Sequence, residues 1–158
     1  MKVSPIDSLG SVNTASSLDD LLALKTAYMQ KIQEIGKAAF KAEINHLFAT
    51  VPGLIRLGWT QYTPYFNDGD ACIFSVNGVM WLDQALWNEF DNDPNFLDDI
   101  YDWHECWGGW HQQNVPDPIA EFTEKIQTST ELMLELFGDH ATVICDQNEI
   151  TISTCNHD

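Results

Sequence analysis

The sequence predicts an α+β fold: an antiparallel sheet of about four strands in two hairpins, packed against two helices, with an acidic, tryptophan-rich insertion. Three observations point there. Residues 18–50 and 118–137 carry apolar side chains at helical spacing. Runs rich in β-branched and aromatic residues flank two turn-forming tetrads, Asn67-Asp68-Gly69-Asp70 and Asp146-Gln147-Asn148-Glu149. The elements follow one another as helix, hairpin, insertion, helix, hairpin.

Residues 1–16, rich in Ser, Gly and Asn, have no periodicity and read as a loose lead-in to one domain over 17–158. Ser17 is placed to cap the first helix, with Asp19 and Asp20 in its first turn, where free amide groups favour negative charge. Leu21, Leu24, Tyr28, Ile32, Ile35, Ala39 and Leu47 fall near one stripe, expected to face the core, and Lys25, Lys31, Lys37 and Lys41 lie mostly off it. A bend is expected at Gly36 and an end before Pro52-Gly53. Strands are expected near 56–66, 72–82, 141–145 and 150–154, the first pair closed by a tight turn at Asn67–Asp70. Pro64 has no amide hydrogen to give to a ladder, so the first strand needs an edge, bulge or bend there. Over 118–137, Ile119, Phe122, Ile126, Leu132, Leu134 and Leu136 mark one helix, closed by Gly138.

Charge is the anomaly in the composition. The 158 residues hold 24 acids against 7 Lys and Arg, a net charge of -17. From Leu57 to Glu124, 68 residues pass without one Lys or Arg, and 13 of the acids lie there. Such a chain repels phosphate backbones and anionic membranes and attracts basic proteins and cations. The first twenty residues lack the basic head and apolar run of a secretory signal, so a cytosolic setting is expected, with Cys72, Cys106, Cys145 and Cys155 as reduced thiols.

The insertion, about residues 83–116, alternates acid with aromatic. Five tryptophans lie between Trp81 and Trp110, interleaved with Asp83, Glu89, Asp91, Asp93, Asp98, Asp99, Asp102 and Glu105. These acids, with Trp87, Trp103, Trp107 and Trp110, form the candidate partner-binding set, because aromatic anchors inside a charged rim are the usual makings of an interface. The plainer reading is that the rings cover the open side of the sheet and the acids form a solvated face. Asp91, Asp93, Asn95, Asp99 and Asp102 have the spacing of a calcium loop, but Phe96 stands where that loop needs glycine. His104 and Cys106 with Cys155 and His157 would give zinc two nitrogens and two sulfurs, although one-residue gaps are poor ligand spacing. Cys106 near His104 and His111 shows no aligned nucleophile and base. No metal or cofactor is expected.

The run Gly58 to Asp70 (GWTQYTPYFNDGD), with Leu136-Phe-Gly-Asp-His140 and Asn156-His-Asp158, resembles a family of small acidic bacteriophage-encoded proteins of unassigned function. The resemblance implies a phage origin and the host-cell cytosol, and it brings no activity and no catalytic residue. In that family a Pro commonly follows the second Asp, where this chain has Ala71.

The function expected is therefore an acidic interaction protein. It would bind and inhibit or modulate a basic host protein, such as a nucleic-acid-binding or defence protein, by presenting carboxylates in place of phosphates. Direct nucleic-acid or membrane binding is not expected. The alternative is a small-ligand sponge or enzyme whose pocket is formed by the insertion, with polar groups from Tyr62, Asn67, Asp68, Asp70, His104 and His111.

Overall fold

A computed structural model describes residues 17–66, 68–89 and 114–155 of the chain. It shows an α+β protein with a five-stranded antiparallel sheet. The described elements are α1 (Leu18–Thr50), β1 (Leu54–Tyr62), β2 (Ser75–Val76), β3 (Met80–Asp83), α2 (Gln84–Glu89), α3 (Asp117–Gln127), α4 (Thr130–Phe137), β4 (Ala141–Cys145) and β5 (Ile150–Thr154). None of these helices is long and apolar enough to cross a membrane. The chain divides into two compact units, 1–39 and 40–158, so α1 contributes its first 22 residues to one and the rest to the other.

α1 starts where capping chemistry places it. The Ser17 hydroxyl oxygen accepts the Asp20 amide hydrogen at 3.1 Å. The helix runs unbroken through Gly36. Its stripe does not behave as expected, because Leu21, Tyr28, Ile35 and Ala39 are exposed and only Ile44 and Leu47 of α1 are buried. Periodicity reports that a helix has an apolar face, and it is silent on what covers that face.

In the second unit β1 is the centre of the sheet, and its nine residues need partners on both edges. Along one edge Leu57–Gln61 pair with β4, and β4 in turn pairs with β5. Along the other, Gln61 and Tyr62 pair with β2, and Leu54–Gly58 pair with β3. The expected strand over 72–82 is thus two short strands. Between the pairs Gln61↔Val76 and Gly58↔Met80, two β1 residues face Asn77, Gly78 and Val79, which is a one-residue bulge. Asn77 holds it: its amide N–H donates to the Thr60 carbonyl at 2.9 Å and its side-chain NH2 to the Thr60 hydroxyl at 2.7 Å.

The expected helix over 118–137 is also two. At the break, the Thr128 hydroxyl donates to the carbonyls of Glu124 (2.8 Å) and Lys125 (3.2 Å), and Ser129 leaves the helical region at φ -115°, ψ 42°. Adjacent Thr and Ser offer the backbone bonds that compete with helix continuation. The kink lets α3 bury Ile119, Phe122 and Ile126 while α4 buries Met133, Leu136 and Phe137.

The core lies between these helices and one face of the sheet. Trp59 is fully buried, and its ring meets Phe40 of α1, Phe122 of α3 and Phe137 of α4 at 5.5 to 6.0 Å between centroids. The tilted and edge-on angles, 53° to 81°, are those aromatic quadrupoles prefer. Among the described residues the buried polar side chains are Thr60, Gln61 and Thr142. Gln61, also fully buried, accepts from the Trp59 indole N–H at 3.1 Å and donates to the carbonyls of Met133 (3.0 Å) and Gly138 (2.6 Å).

Candidate functional site

The open end of β1 carries the most distinctive described surface. The ladder stops at Tyr62, where Thr63-Pro64 turns the chain away, and it resumes at Ser75, so a twelve-residue loop, 63–74, replaces the tight hairpin turn expected from Asn67–Asp70. Pro64 gives the physical reason, having no N–H for the ladder. Turn chemistry survives at the tip: Asp68 (φ 42°) and Gly69 (φ 94°) both take the left-handed conformation that Asp and Gly accept most readily. Asn67 lies outside the described residues.

The loop is braced at its base by Asp139. Its carboxylate accepts from the Thr63 amide (2.7 Å), the Thr63 hydroxyl (2.7 Å) and the His140 amide (2.8 Å). Two residues of unusual backbone bring it there. Gly138 ends α4 at φ 84°, ψ 174°, a region open to glycine, and His140 sits at φ 51°. The His140 carbonyl accepts the Cys155 amide at 2.7 Å, tying this turn to the end of β5. On the loop side, the His140 ring stacks on Tyr65 at 4.7 Å and 12°.

What the brace holds out is apolar and acidic at once. Tyr65, Phe66 and Ile73 are 74%, 77% and 71% exposed, next to Asp68, Asp70 and the partly exposed Asp139. Three large apolar side chains this exposed on one loop are the kind of feature a binding surface presents.

Burial alone would raise the Asp139 carboxyl, but hydrogen bonds from the Thr63 side chain and backbone and the His140 backbone, with the charge of His140, outweigh it and hold it below its usual value. A depressed folded-state value means that the brace contributes stability above the unfolded-state value, near 3.8, and that this contribution is lost as pH falls through the lower folded-state value. Asp139→Asn should therefore be less stable than the parent at neutral pH, and the difference should close in strong acid. Urea unfolding of both proteins at neutral and acid pH measures this, and a difference independent of pH would refute it. Asp146 has the same sign, with burial opposed by amide bonds from Glu149 and Asn148, so only the difference between the two proteins isolates Asp139.

Asp83 caps α2: its carboxylate accepts the Leu86 amide at 2.8 Å from a half-buried position. Trp87 is half-buried on α2, and Glu89 ends that helix. Asp91, Asp93, Asp98, Asp99, Asp102, Glu105, Trp103, Trp107 and Trp110, and with them the calcium-spaced run, lie outside the described residues. So do His104, Cys106, His111 and His157. Cys155 is buried, and among the described residues no three His, Cys, Asp or Glu side chains come together as a metal site. Cys72 is exposed, and Cys145 is buried like Cys155. Burial pushes the Cys145 thiol up to about 12, with Lys41 opposing and Asp146 adding, so it is no nucleophile at neutral pH.

Tyr65, Phe66, Ile73, Asp139 and His140 were not marked as site residues by sequence reasoning. Thr63-Pro64 was the available signal, since an aromatic pair directly after a ladder-ending proline is freed from the strand.

Fold and surface together define a small α+β protein with an acidic loop that exposes aromatic side chains. Comparison with models of known families, with curated proteins and with solved structures gives no match.

Proposed function

We propose that this chain is a binding protein whose partner is basic, and that it engages that partner through loop 63–74 together with the Asp- and Trp-rich insertion. The observation that carries the reading is the exposure of Tyr65, Phe66 and Ile73 beside Asp68 and Asp70, within a 68-residue stretch that has no Lys or Arg. Acids steer a cationic surface inward and the aromatic groups hold it. A partner of this kind is a nucleic-acid-binding protein whose phosphate-contacting cleft accepts the carboxylates, which would inhibit or modulate it. A bacterial host cytosol as the setting rests on the resemblance of the Gly58–Asp70 run to phage proteins.

The test starts with a pull-down from bacterial lysate at low and moderate salt, followed by binding kinetics with the basic protein recovered. Asp68→Asn with Asp70→Asn should slow association and flatten its salt dependence, while Tyr65→Ala or Phe66→Ala should speed dissociation about thirty-fold, worth about 2 kcal/mol. Neutralising Asp91, Asp93, Asp98, Asp99 and Asp102 together compares the insertion with the loop. Duplex DNA should compete with this chain for the partner. Unchanged rates in every variant, or no competition, would refute the reading.

A second reading has its own observation. A solvent-open cavity of about 540 Å³, mostly apolar, lies between the bulge (Gly78, Val79), Trp81 and α3 (Ala120, Thr123, Gln127). That volume suits a small ligand with an apolar body. Saturable binding of one small molecule, lost in Ala120→Trp and retained in the Asp68→Asn, Asp70→Asn protein, would favour it.

A further inference from the structure

We propose that the cavity between the bulge, Trp81 and α3 takes an organic cation, an ammonium group carried on an aromatic or aliphatic body. The proposal rests on the second reading above, in which that cavity is a ligand site, and names the ligand's class.

The cavity has an apolar floor and an acidic rim. Val79 and Trp81 line it at 4% and 3% exposure, so they form the floor, and the exposed Ala120, Glu124 and Gln127 of α3 form the rim. A floor of valine and indole gains from any apolar body that it removes from water. The rim decides what the exposed end of that body should be.

Among the described residues that line the cavity, only Glu124 is charged. It continues a stripe on α3, because Asp117, Glu121 and Glu124 are spaced i, i+4 and i+7 and all three are exposed. Between Arg56 and Lys125 the chain has no Lys or Arg, so neither the strands that supply the floor nor the chain leading into α3 brings one to the rim. Lys125 is engaged elsewhere, donating to the Glu43 carboxylate of α1. Gln127 spends its NH2 on the Val76 carbonyl at 3.3 Å, which leaves its side-chain oxygen as a second acceptor. An ammonium finds an opposite charge and an acceptor here, while a carboxylate or phosphate on the same body is repelled. One carboxylate among apolar side chains is not the oxygen cage that a metal ion needs.

Three probes share an indole body and differ in charge: tryptamine is a cation, tryptophol neutral and indoleacetate an anion. Each is titrated into the isotope-labelled full chain at low salt, and the backbone amide NMR signals are followed. Signals of residues 78–81 and 120–128 should shift. Tryptamine should bind about five-fold more tightly than tryptophol, the scale of one exposed ion pair, and indoleacetate more weakly than either. Glu124→Gln should cut the advantage of tryptamine to about two-fold or less and leave tryptophol binding unchanged. Ala120→Trp, at an exposed position, should abolish both. Tryptophol binding as tightly as tryptamine, or a preference indifferent to Glu124→Gln, would overturn the proposal and leave the cavity a ligand site. No binding by any probe, or binding that survives Ala120→Trp, would remove the ligand site and the proposal with it.

Discussion

Trp59→Ala should lower stability by about 4 kcal/mol. The indole is fully buried and stands at the meeting point of three helices, its ring within 6.0 Å of Phe40, Phe122 and Phe137. Removing a buried Trp or Phe side chain costs about 3 to 5 kcal/mol, the lost transfer energy plus the cavity left behind. The cavity here is bounded by α1, α3, α4 and β1 at once, so no single element can move in to fill it. The substitution also takes the indole N–H from Gln61. Small domains hold about 5 to 15 kcal/mol in total, so the variant should be close to the limit of folding. The urea midpoint should fall sharply with the slope of the transition unchanged. Trp59→Phe, which keeps most of the ring contacts, should lose clearly less. A loss below about 1 kcal/mol for the alanine would mean that the core is not centred on this ring.

Gln61→Leu should cost about 3 kcal/mol, although it makes the core more apolar and alters its volume little. Gln61 bonds three groups in or beside the core: the buried Trp59 indole N–H, the buried Met133 carbonyl and the part-buried Gly138 carbonyl. Each buried polar group left without a partner costs about 1 to 3 kcal/mol, and apolar gain from leucine offsets part of the sum. Gln61→Glu discriminates this account from simple packing. A carboxylate there would face two carbonyl oxygens, so its folded-state value should be raised, and its stability should be present at acid pH and lost as pH rises. Equal loss at all pH values in Gln61→Glu, or a neutral Gln61→Leu, would contradict the bonding scheme. Because Gly138 and Asp139 adjoin, the same bonds hold the turn that braces loop 63–74, so either variant should also loosen the Tyr65–His140 stack.

Much of the fold was legible because its signals are local. Ser17 and Pro52 bound a helix whose ends depend on capping and on the missing proline N–H. The hairpin of β4 and β5 appears residue for residue, because Asp146 folds its own turn: its carboxylate accepts the amides of Asn148 (2.6 Å) and Glu149 (2.8 Å). The breaks were harder to read. Thr128-Ser129 and Asn77-Gly78 are ordinary within a periodic pattern, and they become breaks only because the helix and strand on either side have different surfaces to meet. The candidate site was half legible. Its left-handed tip was written in Asp68-Gly69, whereas Tyr65 and Phe66 look like strand residues until the ladder is known to stop at Tyr62.

By itself, then, the sequence determined the class of fold, the position of α1, the β4–β5 hairpin and the concentration of negative charge, since each depends on residues close together in the chain. Only the tertiary structure decided that β1 lies between β4 and the β2–β3 pair, that Gln61 is a buried strut, that Asp83 caps a helix, and that the first turns of α1 keep their apolar face exposed. These depend on which distant residues supply a hydrogen-bond partner or remove a surface from water, and neither spacing nor composition carries that information.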